Sequence, residues 1–234
     1  MILWLSVATA GVVADGHALF EQGDVDGAIE RWSSVAADGG HPSGVVEYDL
    51  GTAWLRKDDA ARALVHFLAA ARLRPRDGDV QHDLALCRSA LRTTADGRSL
   101  ADPPASVPGW GRVIAPGELG VVGVLLAGLG SVLLLGRRRI RPWPGVSVLT
   151  GGVVVGALGV WGLEQQAQHP LAVVLDEEVV VRDAPQVDGG ERYRWVRGTE
   201  LLVERHYGDF FLVEDGRGRR GWVADNAVEV AWTL

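Results

Sequence analysis

Two apolar runs, residues 119–135 and 145–163, flank a knot of arginines and constrain the chain more than any other stretch. The first run holds nothing more polar than Ser131, and the second holds no charge. Between them stand Arg137, Arg138, Arg139 and Arg141, followed by Pro142 and Pro144. Runs of about 17 to 19 residues, at roughly 1.5 Å rise each, approach the hydrocarbon thickness of a bilayer. The pattern therefore predicts a transmembrane hairpin, with helices over 117–136 and 145–163 and an Arg-rich loop over 137–144. A short Lys/Arg-rich loop marks the cytoplasmic side. This predicts a bacterial inner-membrane protein with two spans and both folded ends periplasmic. Gly152 and Gly156 form a G-x-x-x-G pair, and Gly123, Ala127 and Ser131 repeat small residues every fourth position, so the two spans are expected to pack together.

Composition narrows the function. The 234 residues carry a net charge of −7 with no basic face outside the arginine knot, which argues against nucleic acid. A single cysteine, Cys87, excludes an internal disulfide and any multi-cysteine metal site. Residues 1–14 are apolar and lack a basic start, so they read either as a signal peptide or as a buried first helix. Residues 93–116, rich in Pro, Gly, Ser and Asp, read as a flexible linker. Trp110 and Trp161 stand where interfacial anchors are expected.

Residues 15–92 are helical in pattern and repeat themselves. Ala28 and Trp32 recur as Ala63 and Phe67, and Gly23-Asp24 recurs as Asp58-Asp59. The unit over 44–77 carries Leu50, Gly51, Trp54, Ala63, Phe67, Ala70 and Pro75. It resembles a tetratricopeptide repeat. The resemblance implies two repeats plus a capping helix, with small residues at the helix crossing and Trp32, Leu64 and Phe67 between units. Val80, Leu84, Cys87 and Leu91 form one apolar stripe on the last helix, where Cys87 acts as a core filler. The resemblance further implies a partner-binding groove lined by Tyr48, Thr52, Leu55, Arg56, His82 and Leu86. The Lys/Asn pattern that clamps a free carboxylate is absent.

After the hairpin the apolar period changes to two. Strands are expected over 172–175, 178–182, 200–204, 210–214 and 219–223, with Gly-rich turns between them. Val179, Val181, Arg182 and Pro185, then Arg197-Gly198-Thr199 with Leu201 and Val203, then Gly221-Trp222-Val223 follow in order. That order resembles bacterial SH3 domains and implies a small all-β barrel over 171–234, with Trp222 closing its floor. Tyr193, Trp195, Tyr207 and Phe210 either line a surface for peptide or glycopeptide or fill the barrel core.

No catalytic arrangement emerges. The histidines are scattered, and neither H-x3-H, H-E-x-x-H, G-x-S-x-G nor G-x4-G-K-[ST] occurs. No cofactor, metal site or enzymatic activity is expected. The fold class expected is a multidomain membrane protein: tetratricopeptide repeats, a transmembrane hairpin and an SH3-like barrel. That order of parts resembles the BatE family of aerotolerance gene clusters. The resemblance implies a non-enzymatic membrane adaptor contacting lipid and protein or peptide partners, von Willebrand A-domain membrane proteins and a MoxR-type ATPase among them. Two alternatives remain: a cell-wall protein binding peptidoglycan through the barrel, and a regulatory subunit of a wall hydrolase.

Overall fold

The computed structural model describes residues 2–37, 43–94, 104, 116–136, 143–168 and 170–232. Five helices come first: α1 (Ile2–Glu21), α2 (Val25–Ala37), α3 (Gly44–Arg56), α4 (Ala60–Leu73) and α5 (Gly78–Thr94). Aspartates begin three of them. The carboxylate of Asp24 accepts from the Gly27 N–H, that of Asp59 from the Arg62 N–H, and that of Asp77 from the N–H groups of Asp79 and Val80. Each satisfies donors that a helix start leaves without intrahelical partners. Gly23 and Asp58 take left-handed backbone (φ +87° and +60°) one residue before two of these caps, so the repeat visible in the sequence is a repeated turn.

Two clusters pack the helices. Ala28, Trp32, Val46, Leu50 and Ala53 join the first two hairpins, while Leu64, Phe67, Leu68, Leu84, Cys87 and Leu91 join α4 to α5. Gly51 backs directly onto the Phe67 ring; a Cβ there would lie 2.8 Å from ring carbons.

The C-terminal strands are β1 (Leu171–Val174), β2 (Glu178–Arg182), β3 (Glu191–Val196), β4 (Glu200–Tyr207), β5 (Phe210–Asp215), β6 (Arg220–Ala224) and β7 (Val228–Val230). They form one antiparallel sheet in the order β3-β2-β6-β5-β4-β1-β7. Ala172, Val174, Val181, Trp195, Leu201, Val213, Val223 and Val228 share one buried cluster to which none of the α-helices contributes a residue. A sheet whose inner face is covered only by itself must curl.

Strand β1 is buried along its whole length. Its side chains alternate between two cores: Ala172 and Val174 enter the sheet cluster, and Leu171 and Val173 enter the cluster of α4 and α5. Residues 1–104 and 170–233 accordingly form one compact unit, and residues 105–169 form another.

That second unit is the helix pair α6 (Pro116–Gly136) and α7 (Trp143–Gln168). Small residues bring the two backbones together. A Cβ on Gly123 would lie 2.4 Å from the Gly156 nitrogen, and one on Gly152 would lie 2.5 Å from the Ala127 nitrogen. Val124, Leu125, Val132 and Val160 face outward and are more than half exposed.

Four expectations are corrected here. Among the described residues no helix is long and apolar enough to cross a membrane. This overturns the two-span hairpin and the inner-membrane localisation with periplasmic ends that rested on it. The fold class is corrected too. Seven helices and one seven-stranded antiparallel sheet are described, in place of tetratricopeptide repeats beside a small SH3-like barrel. The physical reason lies in β1: because it lines both cores, helices and sheet are not separate modules. Trp222 also departs from expectation. It lies half-buried on the outward side of β6, between the buried Gly221 and Val223, and Trp195 provides the indole of the sheet core.

The linker reading of 93–116 falls almost wholly outside the described residues, as do Trp110 and the topology residues Arg137, Arg138, Arg139 and Arg141. Residues 2–14 belong to α1, with side chains described from residue 11 onward.

Candidate functional site

The groove residues expected from the sequence lie on α3 and α5. Helical spacing puts Tyr48, Thr52, Leu55 and Arg56 on neighbouring positions of α3, and His82 and Leu86 one turn apart on α5. Tyr48 joins the two helices: its Oη donates to Asp83 Oδ2 at 2.7 Å, and its ring lies 5.6 Å from that of Phe67. The bond to Asp83, then burial, push the Tyr48 phenol up to about 12. Thr52 Oγ1 donates back to the Tyr48 carbonyl, a bond within its own helix that leaves no hydroxyl proton for a partner. Leu55 packs against the α4–α5 cluster and is partly withdrawn from the surface. Arg56 lies 5.1 Å from the centroid of the Phe20 ring, which carries it toward α1. His82 is exposed, and Leu86 is half exposed.

A second bridge extends this face to α1. His17 Nε2 and Asp49 Oδ2 are 2.8 Å apart, and the His17 ring meets Trp32 edge-on at 5.4 Å. Burial raises the Asp49 carboxyl, although His17 and Arg74 pull against it. Behind the face, His66 of α4 and Glu47 of α3 are 2.9 Å apart and tie those helices together. The sequence reading named Tyr48 but missed Asp83, Asp49 and His17. Asp83 stands in α5 where Asp49 stands in α3, and His82 stands where Tyr48 does, as the buried pairs Val46 and Val80, Leu50 and Leu84, and Ala53 and Cys87 show.

The sheet aromatics divide. Trp195 lies inside the core at 2% exposure, its Nε1 donating to Asp215 Oδ2, so it offers no surface. Tyr193 is half-buried against it, with rings 5.3 Å apart and edge-on, and its Oη donates to the Arg220 carbonyl. Tyr207 is 65% exposed and meets the half-buried Trp222 at 6.4 Å, with Phe210 paired opposite Tyr207 across the β4–β5 hairpin. The face that remains is Tyr207, Phe210 and Trp222.

Among the described residues no group of three or more His, Cys, Asp or Glu side chains is placed to hold a metal ion. Cys87 is fully buried, and burial pushes its thiol up to about 12, far from a reactive thiolate at neutral pH. The described surfaces offer hydrogen-bonded carboxylates and a tyrosine on one face and aromatic rings on the other. No family model matches this chain and no curated protein matches it, so the BatE description finds no support there.

Proposed function

We propose that this chain is a non-enzymatic interaction adaptor whose binding surface is the face formed by α1, α3 and α5. The carrying observation is the row of polar bridges across that face, His17 to Asp49 and Tyr48 to Asp83, with the half-exposed Leu86 beside it. The part-buried Asp49 and Asp83, the exposed Asp79 and one apolar side chain on a helical face suit an extended protein segment with a basic residue next to an apolar one. Asp79, Asp83 and Asp49 give this face its sign, and Arg56 is drawn toward Phe20.

The test uses photo-crosslinking residues placed at His82 and Leu86 of the full chain in cells, with the exposed Val187 in the loop between β2 and β3 as the control. Capture of the same protein from both α5 positions, and not from Val187, is the expected outcome. Identical products from all three positions, or none from α5, would defeat the proposal.

A second reading, binding of peptidoglycan, is favoured by one observation, the exposed Tyr207 beside Trp222. Aromatic faces stack on apolar ligand surfaces while their polar tips stay wet. Pelleting of the full chain with purified sacculi, reduced by Tyr207→Ala, would support it; equal pelleting of both would oppose it.

A further inference from the structure

We infer that the turn between β3 and β4 is a clamp that fixes the sheet onto α4 and α5, making array and sheet one cooperatively folding body with a closed flank. Three residues make the contact, and Thr199, standing among them, closes the turn. Arg197 Nη2 donates to Asp59 Oδ1 at 2.8 Å, and its Nη1 donates to the Leu175 carbonyl. Gly198 lies under Leu91 so closely that a Cβ would come within 2.8 Å of the leucine methyls. Thr199 is buried and closes the turn through Oγ1 to the Val196 carbonyl at 2.7 Å. Glu200, 4% exposed, accepts two bonds from Arg88 of α5, at 2.6 and 2.7 Å.

The turn is also tied to β1. The Gly198 N–H donates to the Val174 carbonyl at 2.8 Å, and the Val174 N–H donates to the Thr199 carbonyl at 3.0 Å. Strand β1 in turn sends Leu171 and Val173 into the helical cluster, against which Leu175, Leu202 and Trp232 also pack. Arg72 lies 5.0 Å from the centroid of the Trp232 ring.

The two kinds of contact act differently. Apolar burial along this seam supplies the stabilisation. A paired, part-buried charge adds little against an apolar substitute, yet removing one partner leaves the other desolvated and alone. Arg88–Glu200 and Arg197–Asp59 therefore set the register in which the seam closes. β1 and the turn cover the flank of α4 and α5 that another helix pair would need for stacking. A partner is left with the α1, α3 and α5 face, and the array is not lengthened by outside helices.

Native-state hydrogen exchange on the full chain tests this, comparing wild type, Glu200→Arg, Arg88→Glu and the double swap. Glu200→Arg is expected to speed exchange of core amides in α5 and β4 together by about 10-fold or more, and the double swap to recover most of that loss. Should Glu200→Arg fail to fold, Glu200→Gln reads the same joint response at smaller amplitude. Faster exchange confined to β4, or a double swap no better than either single variant, would overturn the clamp.

Discussion

Arg88 and Glu200 stand 112 residues apart in sequence, yet they meet through two parallel hydrogen bonds in which guanidinium and carboxylate lie fork to fork. This geometry is the most directional form of ion pair available to side chains. It fixes both distance and rotation between α5 and β4. The same turn places Arg197 on Asp59, whose carboxylate already caps α4. Burial alone would raise the Asp59 carboxyl, but the Arg62 N–H and the Arg197 guanidinium outweigh it and hold it below the usual range. One carboxylate thus serves a helix start and a long-range contact at once.

The closest approach inside the helical array gives the first prediction. Gly51 faces the fully buried Phe67 ring, which has no room to retreat. Gly51→Ala gains helix propensity of about 1 kcal/mol but forces a methyl into that ring. Overpacking of this kind costs about 1–3 kcal/mol, so a net loss is expected, and Gly51→Val should lose more. Gly78→Ala is the control, because a Cβ there meets nothing within 4 Å. Urea denaturation followed by far-ultraviolet circular dichroism separates the two; a Gly51→Val midpoint equal to that of wild type would refute the close contact.

Asp215 predicts an acid limb. Its side chain is almost fully buried and accepts from the N–H groups of Arg217 and Arg219, from Arg219 Nε and from Trp195 Nε1. Burial pushes the carboxyl up, but the Arg219 and Arg217 bonds and the Arg219 charge win and bring it below its ordinary 3.8. A carboxyl lowered in the folded state contributes stability that is present above its unfolded value and lost as pH falls through the folded value. Asp215→Asn should therefore cost about 1–3 kcal/mol at neutral pH and flatten the loss of stability below about pH 4. Tryptophan fluorescence reports this through Trp195, and an unchanged acid limb in the variant would contradict it.

Tyr48 carries the opposite sign. Its phenol sits at about 12 in the folded chain against an ordinary 10.0, so its contribution is complete below pH 10 and is lost as pH rises through about 12. Tyr48→Phe removes the bond to Asp83, with an expected cost of about 1 kcal/mol at neutral pH. The tyrosinate absorbance step assigned by difference between wild type and Tyr48→Phe should lie near pH 12. A difference step near pH 10 would mean that the phenol is not held by Asp83.

The sequence disclosed contacts between near neighbours and concealed those between distant ones. Val80, Leu84, Cys87 and Leu91 fall on one helical stripe, and all four are buried. β2, β5 and β6 were legible from alternating apolar residues and from the glycine turns at 208 and 218. β3 was not, because its outward positions hold Arg192 and Arg194 and its one fully buried side chain, Trp195, reads equally well as a surface aromatic. The double burial of Leu171–Val174 was invisible for another reason: four apolar residues in a row predict burial but not which two bodies supply it. On the candidate site, the repeat resemblance named Tyr48 together with His82 and Leu86 of α5, but not Asp83, which lies on that same helix and pairs with Tyr48. The two long apolar runs, the loudest signal in the chain, led to a membrane reading that the described helices overturn.

Gly198 offers the sharpest test of the seam between helices and sheet. Its φ of +81° lies where side chains are strained, and the space its Cβ would need is taken by Leu91. The two penalties arise from different partners, one from its own backbone and one from α5, so a pair of variants separates them. Gly198→Ala should lose about 1–3 kcal/mol from strain and overpacking combined. Combining it with Leu91→Ala should relieve the overpacking while leaving the strain, so the double variant loses less than the two single losses added together. Leu91 is buried in the helical cluster and Gly198 in a sheet turn, and such coupling arises only if they touch in solution. Strict additivity in chemical denaturation would place the turn away from α5.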